Sequence, residues 1–391
     1  MNSWVHGQPE TQPGCVCTAT GRIRILVRLL AAWCLIAPAF AADINHAQQI
    51  EALFSSLKAD APGAAVLVLS NGDPVFERGY GITDLRTRHP IDARTNFRLA
   101  SCTKQFTATA IMLLVHDGRL RYEDHLSDVF PDFAAYGKTI TVRNLLNHTS
   151  GLLDYEHLMP PQPGVAEDRL RQIHDGEVLE LLKAQKGTKF APGSHWEYSN
   201  SGYVVLAMVV EKVSGVSFGQ FLRDRIFAPL GMQQTIAYVK GKNEVANRAY
   251  GHTRSHGTWA QNDQSDTSAT LGDGGVYSSL EDLAKWDKAL AEHTLLTAAE
   301  MQPAWTPVKV ADNSVVEPDG TPAAYGFGWF LNPYKGHARM WHYGETVGFR
   351  TTIQRFAEGN LTIVILANRD DLVPAKLAKK IAELYLPMNP P

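Results

Sequence analysis

The sequence predicts an α+β fold in which one antiparallel sheet, flanked by N- and C-terminal helices, is interrupted by an inserted all-helical subdomain. Three observations predict it: a helix-strand-strand pattern near the start, a strand-strand-helix pattern at the end, and a long middle segment with helical spacing and glycine stops. The 391 residues are 45% hydrophobic and 20% charged, which describes a globular chain and excludes disorder, collagen and coiled coil. With 37 Lys+Arg against 40 Asp+Glu the formal net charge is -3, without the basic excess of a nucleic-acid binder.

The first 41 residues read as a leader. Arg22, Arg24 and Arg28 precede the apolar run Leu29 to Phe40, and Ala39-Phe40-Ala41 has the small-x-small form of a cleavage site. The run is too short for the roughly 20 residues that cross a bilayer, so cleavage after Ala41 is expected rather than anchoring. The expected mature protein is exported, periplasmic or secreted, and has no stable membrane anchor. Cleavage removes Cys15, Cys17 and Cys34 and leaves Cys102 alone, so the mature chain cannot form an internal disulfide. Residues 42–391 then read as a single domain, with a sheet subdomain over about 42–96 and 271–391 and a helical subdomain over about 97–270.

Ala47 to Lys58 places Ile50, Leu53, Phe54 and Leu57 on one helical stripe. Strands over Ala64 to Leu69 and Pro74 to Tyr80 flank Asn71-Gly72, a dipeptide suited to the positive φ angles of a tight hairpin. At the other end, Thr351 to Phe356 and Leu361 to Ala367 flank a turn at Glu358-Gly359-Asn360, and a helix follows from about Ala375 to Tyr385. In the middle segment Gly118, Gly215 and Gly231 are expected to end helices, because glycine tolerates the left-handed conformation there.

Several familiar patterns fail. Gly137-Lys138-Thr139 has Asp132 where a phosphate-binding loop needs its first glycine, and Gly272-Asp273-Gly274-Gly275 lacks dinucleotide-binding spacing. No metal-ligating motif is present, and neither a metal nor a cofactor is expected. Gly215-Val216-Ser217-Phe218-Gly219 matches G-x-S-x-G, but a helix rather than a strand precedes it, so Ser217 is expected to cap the next helix.

Ser101-Cys102-Thr103-Lys104 is more informative. On a helix, residues three apart share a face, so the Lys104 amine can reach the Ser101 hydroxyl. The apolar run Gln105 to Val115 buries that helix, and desolvation lowers a lysine pKa toward that of a useful base. Tyr198-Ser199-Asn200 stands just before a second helix, Gly202 to Val213, where a phenol and an amide can flank the lysine. Trp341-His342-Tyr343-Gly344 falls on a strand before the last hairpin.

At these three elements the chain resembles the penicillin-recognising serine hydrolases of the class C beta-lactamase type, which include DD-carboxypeptidases and related esterases. The S-x-x-K, Y-x-N and H-x-G patterns fall on Ser101/Lys104, Tyr198/Asn200 and His342/Gly344, and the similarity extends over about 45–385. It includes Leu145 to Leu152, a segment whose His148 and Ser150 are expected to shape a loop. The resemblance implies a beta-lactamase/transpeptidase-like fold and an acyl-enzyme mechanism on a small-molecule or peptide substrate. In it Ser101 attacks a carbonyl, Lys104 and Tyr198 move its proton, and Asn200 orients Lys104 and substrate. It also implies an oxyanion hole made by the backbone N–H groups of Ser101 and Glu345, worth about 3 kcal/mol per donor.

Class C beta-lactamases carry Lys and Thr where this chain has His342 and Tyr343. A neutral histidine, a bulky Tyr343 and a nearby Glu345 weaken recognition of the carboxylate shared by beta-lactams and D-alanyl-D-alanine, although Arg350 offers a replacement. The expected function is therefore hydrolysis of an ester or amide, D-amino-acid peptide bonds included. A true beta-lactamase or DD-carboxypeptidase, and a catalytically silent sensor, are the alternatives. Cys102, about 100° around the helix from Ser101, is expected to be a small core residue.

Overall fold

A computed structural model describes residues 45–311, 315–317 and 323–387. The leader expected over 1–41, with Cys15, Cys17 and Cys34, lies outside the described residues. Residues 45–53 are helical, and Ala52–Pro391 forms the compact unit that carries every feature below.

The sheet has five antiparallel strands: β1 (Ala64–Ser70), β2 (Asp73–Tyr80), β3 (Arg339–Thr346), β4 (Phe349–Phe356) and β5 (Leu361–Ala367), in the order β2-β1-β5-β4-β3. The two chain ends meet directly, with Ala64 opposite Ala367 and Ser70 opposite Leu361. Asn71 and Gly72 both have positive φ, 54° and 86°, the geometry that matches hairpin twist. At the second turn Asn360 takes the left-handed conformation. β1 and β5 are buried almost throughout, because both faces are covered. Neighbours on β4 point to opposite faces: Gln354 Nε2 donates to Ala375 O of α5 (Pro374–Tyr385) at 3.1 Å, and Arg355 Nε donates to Asp287 of α4 (Leu280–Ala291) at 2.6 Å.

Between β2 and β3 the longest regular elements are helices, joined by extensive loops. α1 (Lys104–His116) is buried from Lys104 to Leu114 and packs on α3 (Asn200–Ser214), which also packs on α2 (Asp175–Lys183). Gly215 ends α3 at φ 81° and the Ser217 hydroxyl accepts from Gln220 N, so the G-x-S-x-G tract is a helix stop and a helix cap. The segment is less purely helical than its spacing suggests. Phe97–Arg98, Val276–Ser278 and Ile236–Ala237 form a small sheet, and His252–Ser255 pairs with Thr258–Gln261. The turn of that hairpin, His256-Gly257, has both residues at positive φ; a histidine in the place usually held by asparagine hides the signal.

Candidate active site

The segment bearing Ser101 is wedged between the sheet and the helices. Ala100 is held at φ 46°, uncommon for a residue with a Cβ, and a 3-10 turn over Ala100–Thr103 leads into α1. With three residues per turn, side chains three apart eclipse, so Lys104 stands directly over Ser101. Lys104 Nζ donates to Ser101 Oγ at 3.0 Å, to Asn200 Oδ1 at 2.9 Å and to Asp273 O at 3.0 Å. The lysine is fully buried. Burial lowers its pKa to about 8 against the opposing charges of Asp273, Cys102 and Glu156. A neutral lysine keeps a lone pair, so the 3.0 Å contact can reverse and take the serine proton.

Tyr198 enters from the loop before α3. Ser199 caps that helix by accepting from Gly202 N at 3.1 Å, and its own N–H donates to His148 Nδ1 at 3.1 Å. His148 thus fixes the Tyr198 loop, and its Nε2 has no polar partner among the surrounding rings of Trp196, Tyr198, Tyr203 and Tyr325. Lys104 Nζ lies 4.9 Å from the centre of the Tyr198 ring. The Tyr198 hydroxyl meets no partner within hydrogen-bonding geometry. Burial pushes its pKa well above the ordinary value, and the nearby Ser101 hydroxyl opposes that push.

β3 forms the opposite wall. Gly344 sits so close to the Ser101 segment that a Cβ there would lie 2.1 Å from Leu99 O and 2.3 Å from Thr351 Oγ1. His342 is buried, with Nδ1 2.6 Å from Tyr343 O and Nε2 3.2 Å from Tyr325 Oη. A carbonyl only accepts, so Nδ1 carries a proton; burial and the Lys104 charge depress the ring's pKa to about 3, which disfavours a second proton on Nε2. Tyr343 stacks on Phe330 in the same aromatic cluster as Tyr198 and lines the groove beside β3. Glu345 is exposed and pairs with Arg350 Nη2 at 2.9 Å. Arg350 also donates to Thr346 O and Phe349 O at 2.7 and 2.8 Å, so its guanidinium braces the β3–β4 turn. Beside β3 runs a groove of about 370 Å³, lined by Tyr343, Gly344, Glu345 and Arg350 and by the 370–376 segment. A larger cavity of about 860 Å³ includes none of these residues.

The Cys102 thiol turns away from the site. Its Sγ lies 3.6 Å from His342 O and from Thr351 Oγ1, and burial raises its pKa to about 12.

Sequence reasoning missed four contributors. The 272–275 turn, set aside as a failed nucleotide loop, supplies Asp273 O to Lys104 and is anchored by Thr107 Oγ1 donating to Gly272 O at 2.6 Å. Asp175 accepts from Leu271 N and Gly272 N, burial lifting its pKa to about 7. Tyr325 orients His342. Glu156 accepts from Asn200 Nδ2 at 3.3 Å. None carries a local pattern, since each is brought in by the packing of a distant segment.

A family model described as Beta-lactamase matches residues 47–386. The chain belongs to this beta-lactamase family. Penicillin-binding protein 4* of Bacillus subtilis (strain 168) is 30% identical over 341 residues, covering 84% of this chain and 73% of that protein. The solved penicillin-binding protein of Bacillus halodurans matches with a TM-score of 0.71 and 28% identity, covering 87% of this chain and 99% of that one. The D-amino acid amidase of Ochrobactrum anthropi SV3, solved with L-phenylalanine amide, matches with a TM-score of 0.71 and 25% identity, covering 88% and 98%. The protein is thus a serine hydrolase of the beta-lactamase-related family, with that family's α+β fold.

Proposed function

We propose that the protein is an exported serine hydrolase that cleaves an ester or amide, D-amino-acid peptide bonds included, through an acyl-enzyme on Ser101. The observation that carries the reading is the 3.0 Å contact between Ser101 Oγ and a fully buried Lys104 Nζ whose pKa is lowered to about 8. Neutral Lys104 takes the Ser101 proton as Oγ bonds to the substrate carbonyl carbon. The oxyanion is received by the N–H groups of Ser101 and Glu345. Tyr198, beside Ser101 and Lys104, passes the proton to the leaving oxygen or nitrogen as its bond to carbon breaks. Water then attacks the ester on Ser101 along the reverse proton route and frees the acid.

Carboxylate recognition of the beta-lactam kind is disfavoured, because His342 is neutral, Tyr343 fills the position beside it and Arg350 is committed to Glu345. Likeness to the amidase of O. anthropi supports an amide or ester instead. Export rests on the leader pattern of residues 22–42.

Nitrophenyl esters, nitrocefin and D-alanyl peptides, assayed with wild type and Ser101→Ala, test the reading. Ester or peptide turnover that Ser101→Ala abolishes is expected. Turnover unchanged in that variant overturns the mechanism, efficient nitrocefin cleavage or stoichiometric labelling by a fluorescent penicillin points to the beta-lactamase or carboxypeptidase alternative, and no reaction at all indicates a silent sensor.

A further inference from the structure

Glu156 stands at the site without a part in that scheme. It lies on the short helical turn Tyr155–Leu158 and is exposed. The Asn200 amide bridges it to the base: Oδ1 accepts from Lys104 Nζ at 2.9 Å, while Nδ2 donates to Glu156 Oε1 at 3.3 Å. A continuous line of contacts therefore runs from the Ser101 hydroxyl through Lys104 and Asn200 to a carboxylate open to solvent.

The turn that carries Glu156 is fixed. Tyr155 is fully buried, its N–H donates to Ser201 Oγ at 2.9 Å and its hydroxyl to Asp273 Oδ2 at 3.1 Å. Among the described residues, no Lys, Arg or His forms an ion pair with Glu156. Partial burial raises its pKa, and so do the neighbouring charges of Asp154, Asp273 and Asp266. An anion held in place, surrounded by like charge and hydrogen-bonded to the amide that orients the base, fits a cationic group brought by the substrate.

We propose that Glu156 receives a protonated amino group on the acyl part of the substrate, so that the enzyme prefers acyl donors with a free α-amino group. The proposal rests on the hydrolase function given above. Once the substrate carbonyl meets Ser101, its α-substituent is only two bonds from the carbonyl carbon, and Asn200 spans the interval from Lys104 to Glu156. An N-acylated substrate loses the cation and sets a carbonyl oxygen against the carboxylate. The charge has a second effect. Glu156 favours the protonated form of Lys104, so an ammonium bound at Glu156 offsets that influence and frees the lysine to act as base. A matching substrate thereby activates its own catalyst.

The test uses the mature chain with alanine 4-nitroanilide and alanine methyl ester, each enantiomer, free and N-acetylated, beside 4-nitrophenyl acetate as a substrate without an amine. Wild type should favour the free amine by about tenfold or more in kcat/KM, the worth of one charge-assisted contact. Glu156→Gln keeps an oxygen for Asn200 but no charge, and should bring the free-to-acetylated ratio within about threefold of unity. In wild type the preference should also fade above pH about 8 as the α-amine loses its proton. Ser101-dependent turnover without a free-amine preference, or a preference that survives in Glu156→Gln, overturns this inference and leaves the hydrolase standing. Absence of Ser101-dependent turnover on every substrate, 4-nitrophenyl acetate included, overturns both.

Discussion

Raising the pH from 7 to 9 should recruit Lys104 as a base. Its pKa of about 8 follows from complete burial, partly offset by Asp273, Cys102 and Glu156. About one tenth of the lysine is neutral at pH 7 and about nine tenths at pH 9, so kcat/KM for an uncharged ester should climb nearly tenfold with a midpoint near 8. No histidine limb is expected near 6.5, since burial holds His342 at about 3 and His148 well below its ordinary value. The assay is 4-nitrophenyl acetate hydrolysis, corrected with Ser101→Ala, with circular dichroism to show that the fold persists across the range. A midpoint near 6.5 that vanishes in His148→Asn or His342→Asn would refute the assignment of Lys104 as base, and so would a flat profile. The same depression has a stability consequence. The unfolded lysine holds its proton to about 10.5, so the penalty on folding, about 3 kcal/mol at 1.36 kcal/mol per unit, is complete below about 8 and relieved between about 8 and 10.5.

Tyr198→Phe should slow acylation by about 10²- to 10⁴-fold in single-turnover measurements, and unchanged acylation would remove Tyr198 from proton transfer. Cys102→Ala should keep activity within about twofold and cost about 1 kcal/mol in denaturant titration. In native protein the Cys102 thiol, buried with its pKa raised to about 12, should not react with a thiol reagent until the chain unfolds. Gly344→Ala should abolish turnover and lower Tm, because the new Cβ would press within 2.1 Å of Leu99 O and part β3 from the Ser101 turn; a fully active, equally stable variant would contradict that close approach.

Much of this protein is written locally. Asn71-Gly72 and the Gly359-Asn360 turn place both hairpins, since turn geometry depends on the residues within it. Ser101 and Lys104 are three apart on a buried turn, and their contact is likewise a short-range property. The end strands read correctly because their largely apolar runs, Ala64 to Leu69 and Leu361 to Ala367, are short, bounded by turn residues and buried on both faces. The short strands at 236, 252 and 276 did not, because four residues or fewer carry too little pattern to be told from loop.

Tertiary structure alone decided the electrical character of the site. The sequence by itself determined which groups are present: a hydroxyl, an amine, a phenol, an amide and a histidine in a telling order. It did not determine that burial depresses the His342 pKa, that Arg350 is paired with Glu345, that Tyr343 stacks on Phe330, or that Asp273 and Glu156 approach Lys104 from segments 169 and 52 residues away. Protonation depends on how much water is excluded and which charges lie within a few ångströms. Both are properties of the packed whole, and so what the pocket accepts is set by the fold rather than by any tetrapeptide.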